Sequence, residues 1–162
     1  MIKNTTTVLG YRGRFAPSPT GELHFGSLIA AVGSYLDAKS HGGEWLVRIE
    51  DLDKPREVPG ASYKILKSLE ALGMEWEHEV IYQDQRKDIY ESVLTMFNKR
   101  KLIYPCTCTR KEISNSSIAG ISGQIYAGTC RNNIQKDGYF GAVRIKTNNN
   151  IIEFKDTLHG LI

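Results

Sequence analysis

Short apolar strands alternate with helical stretches over residues 11–100, and this alternation constrains the fold more than any other feature of the chain. Residues 11–16 read as a strand. Residues 27–40 follow with helical spacing, so that Leu28, Ala31, Val32, Tyr35 and Leu36 can share a face, and Gly42-Gly43 ends the helix. Residues 45–49 form a second strand, apolar enough for a buried parallel position. Residues 62–72 read as a helix with Ile65, Leu66, Leu69 and Leu72 inward, stopped by Gly73. A third strand is expected at 80–82. A third helix is expected at 84–100, with Asp84 as N-cap and Ile89, Val93, Leu94, Met96 and Phe97 as its apolar stripe. Strand–helix alternation of this kind predicts an α/β fold, a Rossmann-like doubly wound parallel sheet.

The pattern changes near Tyr104. From there to Asp137 apolar periodicity fades, and Ser, Asn, Gly and Cys become frequent. This stretch, 104–137, reads as an inserted module held by something other than an apolar core. Residues 139–146 and 151–155 then read as strands, with Asn148-Asn149-Asn150 as the turn between them. The expected organisation is a loose N-terminal extension (1–10), an α/β half (11–103), the insertion (104–137) and returning strands (138–162).

Composition excludes several classes. A chain of 162 residues with 41% hydrophobic and 24% charged residues is not disordered throughout. No apolar run nears the roughly 20 residues that span a bilayer, and residues 1–10 lack the core of a secretory signal. A cytoplasmic, monomeric protein with no membrane partner is the expectation. Charge is uneven: residues 1–93 hold 11 Lys/Arg against 14 Asp/Glu, whereas residues 94–162 hold 10 against 4. Lys99, Arg100, Lys101, Arg110, Lys111 and Arg131 flank the cysteine-bearing stretch. They are either solvated surface charges or a face for a polyanion such as a nucleic acid backbone.

Two segments carry candidate chemistry. The first runs Arg14-Phe15-Ala16-Pro17-Ser18-Pro19-Thr20-Gly21 and continues to His24-Phe25-Gly26-Ser27. It leaves the first strand and enters the first helix. Ligands of open α/β sheets bind there, and a helix N-terminus offers free N–H groups to phosphate. Pro17 and Pro19 stiffen the loop, Gly26 admits close approach, and His24 is a donor for phosphate oxygens. Glu50 and Asp51 end the second strand toward the same cleft. A carboxylate there can hold an ammonium, and Arg14 can pair with a carboxylate. The second segment is Cys106-Thr107-Cys108 with Cys130, for which Tyr126 is the candidate fourth ligand. Three cysteines cannot all be paired in disulfides. They are either incidental thiols or ligands of one metal ion.

The string R-F-A-P-S-P-T-G followed by H-x-G resembles the signature of class I aminoacyl-tRNA synthetases of the glutamyl type. His24 to Ser27 stands at the HIGH tetrapeptide, from which it departs at the second and fourth positions. Arg48-Ile49-Glu50-Asp51-Leu52-Asp53 resembles the family's R-I-E-D-x-D segment. The C-x-C with Y-x-x-x-C looks like the zinc element of the glutamyl-queuosine tRNA(Asp) synthetases, a short branch with no anticodon-binding domain. The resemblance implies a class I catalytic fold with an inserted zinc-binding subdomain. It implies a glutamate pocket of Arg14, Phe15, Ala16, Pro17 and Ser18, with Glu50 on the α-ammonium. It places catalytic contacts to ATP at His24, Gly26 and Ser27, with Mg²⁺ accompanying the ATP, and a structural Zn²⁺ on Cys106, Cys108, Tyr126 and Cys130. The activity implied is glutamate activation followed by transfer to queuosine in tRNA(Asp). A KMSKS-type loop is not found, so the domain is expected to be an incomplete N-terminal portion, weak or inactive alone. A discriminating glutamyl-tRNA synthetase fragment and a non-catalytic, zinc-stabilised tRNA-binding module are the alternatives.

Overall fold

The computed structural model describes residues 10–120, 123–132, 141–148, 150–156 and 158–162. Most of the expected N-terminal extension, residues 133–137 of the insertion and the start of the 139–146 strand lie outside the described residues. The chain divides into two compact units, Met1–Ile89 and Tyr90–Ile162, a division that falls earlier than the expected boundary at 103/104.

The first unit is a parallel sheet with helices. Strand β1 (Arg12–Phe15) pairs in parallel with β2 (Glu44–Ile49), and β2 pairs in parallel with β3 (Ile81–Tyr82). Helix α1 (Phe25–Ser40) connects β1 to β2, and α2 (Ala61–Ala71) lies between β2 and β3. Along β2 alternate residues Trp45, Val47 and Ile49 are buried, the two-residue period of an extended chain. With Phe15, Ala31, Ala38, Ile65, Leu69 and Met74 they form the core. Trp45 is its centre at 0% exposure. It stacks on Phe15, meets Tyr35 edge-on with centroids 5.2 Å apart, and donates its indole N–H to Ser34 Oγ at 2.9 Å.

The face of α1 is rotated from the expected one. Ala31 and Ala38 are buried and Tyr35 packs on the core, while Val32 and Leu36 are exposed. Close approach is the reason. A Cβ on Gly13 would stand 2.9 Å from both Ala38 Cβ and the Ser34 carbonyl, so β1 and α1 meet through their smallest residues. Leu72 is exposed for a simpler reason: α2 ends at Ala71, and Leu72 is its C-cap. The third helix also differs. Gln83–Arg86 is a 3₁₀ turn, and α3 spans Lys87–Lys99. Asp84 does not cap it, because its carboxylate is taken by Lys54 (3.3 Å) and Lys87. Of the expected stripe, Ile89, Val93, Leu94 and Met96 are exposed.

In the second unit β4 (Ile103–Cys106) pairs antiparallel with β7 (Ala142–Ile145). Between them lie α4 (Arg110–Ser116) and the hairpin β5 (Ile118–Gly120)–β6 (Gly123–Ile125). The helix starts on a capping box: Thr109 Oγ1 accepts from the Glu112 N–H, and Glu112 accepts from the Thr109 N–H at 2.7 Å. The strand expected at 151–155 is mostly absent. Ile151 and Ile152 are exposed, and the hairpin of β8 (Lys155–Asp156) and β9 (Gly160–Leu161) starts only at the Phe154–Ile162 pair. β7 therefore pairs with β4 rather than with this segment.

Candidate functional site

The connection from β1 to α1 is held in place by backbone bonds to the β2–α2 connection. The Pro17 carbonyl accepts from the Glu50 N–H and the Pro19 carbonyl from the Val58 N–H, both at 2.9 Å. Both prolines are buried. Proline fixes φ and has no N–H to satisfy, so the loop can point its carbonyls inward at little cost. Around it opens a cavity of about 490 Å³. Phe15, Ala16, Pro17, Ser18, His24, Gly26 and Ser27 all line it, as do Thr20 and Glu22. Most of the residues proposed from the sequence are thus brought together at the carboxyl end of β1 and the N-terminus of α1.

His24 is the N-cap of α1. Its Nδ1 accepts from the Ser27 N–H at 3.3 Å, and its Nε2 lies 3.1 Å from Ser27 Oγ. With Nδ1 as acceptor, the neutral ring carries its proton on Nε2, which then donates to Ser27 Oγ. The cap thereby fixes the tautomer and aims an N–H donor beside the helix N-terminus. A Cβ on Gly26 would stand 3.2 Å from His24 Cε1 and 3.3 Å from Nδ1, so the missing side chain makes room for the imidazole.

Arg14 and Glu50 are not among the residues that line this cavity. Arg14 is exposed on β1. Glu50 is half-buried and engaged at both oxygens: Arg48 donates to Oε1 through Nε (2.7 Å) and Nη2 (2.5 Å), and Gln83 donates to Oε2 at 2.7 Å. Arg48 and Glu50 are two apart on an extended chain and so share a side, a signal legible in the sequence. Gln83 gave no such signal, because only the β2–β3 pairing brings it near. Asp51 is buried and accepts the Asp84 N–H at 2.9 Å, which ties the end of β2 to the 3₁₀ turn. Lys87 and Lys54 hold the Asp84 carboxyl below the usual carboxylate range.

In the second unit the sulfurs of Cys106, Cys108 and Cys130 lie within 4.8 Å of one another. Tyr126 Oη is 3.4 Å from Cys106 Sγ and 3.3 Å from Cys108 Sγ, and it accepts the Cys130 N–H at 3.0 Å. Cys108 and Cys130 sulfurs are 3.4 Å apart. Tetrahedral ligands at Zn–S distances of about 2.3 Å stand about 3.8 Å from one another, so three sulfurs and one phenol oxygen at these separations fit one metal ion. Cys106 is buried at 1% exposure, and no disulfide uses any of the three. The electrostatics favour thiolate at Cys130 and Cys106, whereas Cys130, burial and Cys106 together push the Cys108 thiol up. The Tyr126 hydroxyl and the Thr107 backbone pull Cys130 down to about 6. Burial opposes ionisation of Cys106, but the hydrogen bonds of Tyr126 and Arg144 outweigh it and lower its pKa. Burial and contact with Cys106 push the Tyr126 phenol up. Gly141 sits against this centre: a Cβ there would fall 2.0 Å from the Cys106 carbonyl.

Residues 11–162 match the model of the tRNA synthetases class I (E and Q), catalytic domain. The chain belongs to this synthetase family. Among curated relatives, the glutamyl-Q tRNA(Asp) synthetase of Chromobacterium violaceum is 58% identical over 122 residues, 75% of this chain and 41% of that protein. That of Dechloromonas aromatica is 51% identical over 154 residues, 94% of this chain and 51% of that protein. That of Escherichia coli is 51% identical over 152 residues, 94% of this chain and 47% of that protein. The chain therefore spans about half the length of the curated relatives it matches. Among solved structures, a glutamate tRNA ligase from Elizabethkingia meningosepticum, in complex with its amino acid, superposes with a TM-score of 0.71 at 27% identity. That match covers 94% of this chain and 36% of the ligase. The expected class I catalytic fold, a parallel sheet with helices, is that of this synthetase domain. No helix among the described residues is long and apolar enough to cross a membrane.

Proposed function

We propose that this chain provides the glutamate- and ATP-binding half of an enzyme that glutamylates queuosine in tRNA(Asp). The observation that carries the reading is the 490 Å³ cavity, lined by Phe15 to Ser18, Thr20 and Gly21 of the first string and His24, Gly26 and Ser27 of the second. Relatives named glutamyl-Q tRNA(Asp) synthetase at 51–58% identity support the branch over the glutamate tRNA ligases, matched at 27%.

In this reading an oxygen of the glutamate α-carboxylate attacks the α-phosphorus of ATP. The bond to the β-phosphate oxygen breaks, and pyrophosphate leaves. The glutamyl group then passes to queuosine, and AMP is released. Mg²⁺ accompanies the ATP and offsets phosphate charge. The chain supplies no nucleophile; it positions and stabilises. The His24 Nε2 proton, held by the tautomer that Ser27 N–H selects, turns from Ser27 Oγ to a phosphate oxygen as charge builds there. Gly26 and the N-terminus of α1 accept the phosphate at short range. Phe15, Ala16, Pro17 and Ser18 wall the amino acid. Arg14 pairs with a carboxylate, and Glu50 takes the ammonium while Arg48 and Gln83 hold its carboxylate in place. Cys106, Cys108, Tyr126 and Cys130 hold one structural Zn²⁺, which supplies cohesion where an apolar core is thin. The protein acts in the cytoplasm as a monomer.

Glutamate-dependent ATP–pyrophosphate exchange without tRNA tests the reading. A chimera in which residues 11–162 replace the matching segment of the Escherichia coli relative gives the domain its remaining half. Exchange that requires glutamate, with no response to glutamine or aspartate, is expected. A folded chimera without exchange overturns it, and charging of tRNA(Glu) in place of tRNA(Asp) moves the reading to a discriminating glutamyl-tRNA synthetase. Salt-dependent tRNA binding by a chain that binds neither glutamate nor ATP favours the non-catalytic module.

A further inference from the structure

Arg144 lies on β7 opposite Tyr104 of β4, in the strand pair that carries Cys106. Its guanidinium carbon stands 4.1 Å from the centroid of the Tyr126 ring. Its Nε is buried with no hydrogen-bond partner. A buried N–H left unpaired is costly, so hydrogen bonding alone does not account for this placement. The stack on the tyrosine offsets that cost.

The chemistry of the donor set gives the arrangement a purpose. Ligands bind a metal in their deprotonated forms. Three thiolates and a phenolate on one divalent cation leave a net negative charge inside the protein. A tyrosine oxygen is also a poorly constrained donor, because its ring can swing about two side-chain torsions. A planar cation lying on the ring face answers both problems: it fixes the ring plane and offsets the charge.

We propose that Arg144 is the positioning residue of the cysteine–tyrosine centre, stacked on Tyr126 so that the phenol oxygen stands at the fourth ligand corner. This rests on the reading that the centre binds zinc. Like other outer-shell partners of metal ligands, Arg144 acts on affinity through the orientation of a ligand it does not replace.

The test is a double-mutant cycle on zinc affinity, measured on the purified chain by competition with a chromophoric chelator at constant pH and salt. Arg144→Gln is expected to weaken zinc binding by about 10–100-fold, with Arg144→Lys recovering part of the loss. In the Tyr126→Phe background the same Arg144→Gln change is expected to cost several-fold less, because the ligand it orients is gone. A tyrosinate ultraviolet difference band should appear when zinc is added to the parent chain, shrink in Arg144→Gln and vanish in Tyr126→Phe. An Arg144→Gln affinity within about 3-fold of the parent, or an equal loss in both backgrounds, overturns the proposal, since the second result marks a role in β4–β7 pairing only. If the parent chain binds no zinc at one equivalent, the metal reading itself fails, a different outcome from either.

Discussion

Replacing Gly26 with alanine separates the catalytic from the structural role of the loop. The new Cβ would stand 3.2 Å from His24 Cε1 and 3.3 Å from Nδ1, tighter than ordinary van der Waals contact, so the imidazole must give by a few tenths of an ångström. Two effects on stability then oppose each other. Weakening the His24 cap costs about 1 kcal/mol, and replacing a helical glycine by alanine contributes roughly 1 kcal/mol or less in the first turn. The net change should be within about 0.5 kcal/mol, a shift of roughly 2–4 °C in Tm for a unit of this size. Catalysis has no such compensation, because the Nε2 proton is carried away from its position. Small misplacements cost heavily in positioned chemistry, and a loss of about 10-fold in exchange rate is expected. The assay pairs thermal melting of the chain with glutamate-dependent exchange by the chimera. Unchanged exchange at unchanged Tm would show that the imidazole position does not matter. A fall in Tm above about 10 °C would show that Gly26 serves the fold instead.

Other outcomes follow from the same geometry. Trp45→Ala removes the centre of the core and should cost about 3–5 kcal/mol, read by denaturant unfolding of the first unit. Gly141→Ala puts a methyl into the Cys106 carbonyl and should lower zinc affinity by about 10-fold or more through displacement of β4, measured by chelator competition. Glu77 accepts from Lys39 and from the Trp45 N–H, and these bonds hold its pKa below the usual glutamate value. Its contribution is therefore present above the ordinary glutamate pKa, about 4.3, and is lost as pH falls through the lowered value. Between pH 6 and pH 3 the parent should lose more stability than Glu77→Gln, and parallel curves would contradict this.

The sequence made the local structure legible and left the long-range contacts dark. Strands and helices of the first unit follow from apolar period and glycine stops, and the loop string marks its own cavity. The orientation of α1 does not follow, because Gly13 and Trp45 decide it from other strands. Asp84 has the chemistry of a cap, but Lys54, 30 residues earlier in the chain, competes for it successfully. The capping box at Thr109 and Glu112 was readable as T-x-x-E and marks α4, which the fading apolar period hides. In the candidate sites, His24 and the cysteines announce themselves by spacing. Gln83, Gly141 and Arg144 do not, since each matters only through a partner brought close by strand pairing.

Glutamate activation by this site is tested most directly by the exchange of labelled pyrophosphate into ATP by the chimera, with glutamate as the only added amino acid and no tRNA present. Exchange that depends on glutamate and falls by about 10-fold in Gly26→Ala is the predicted result. A folded, zinc-loaded chimera that exchanges no pyrophosphate would contradict it.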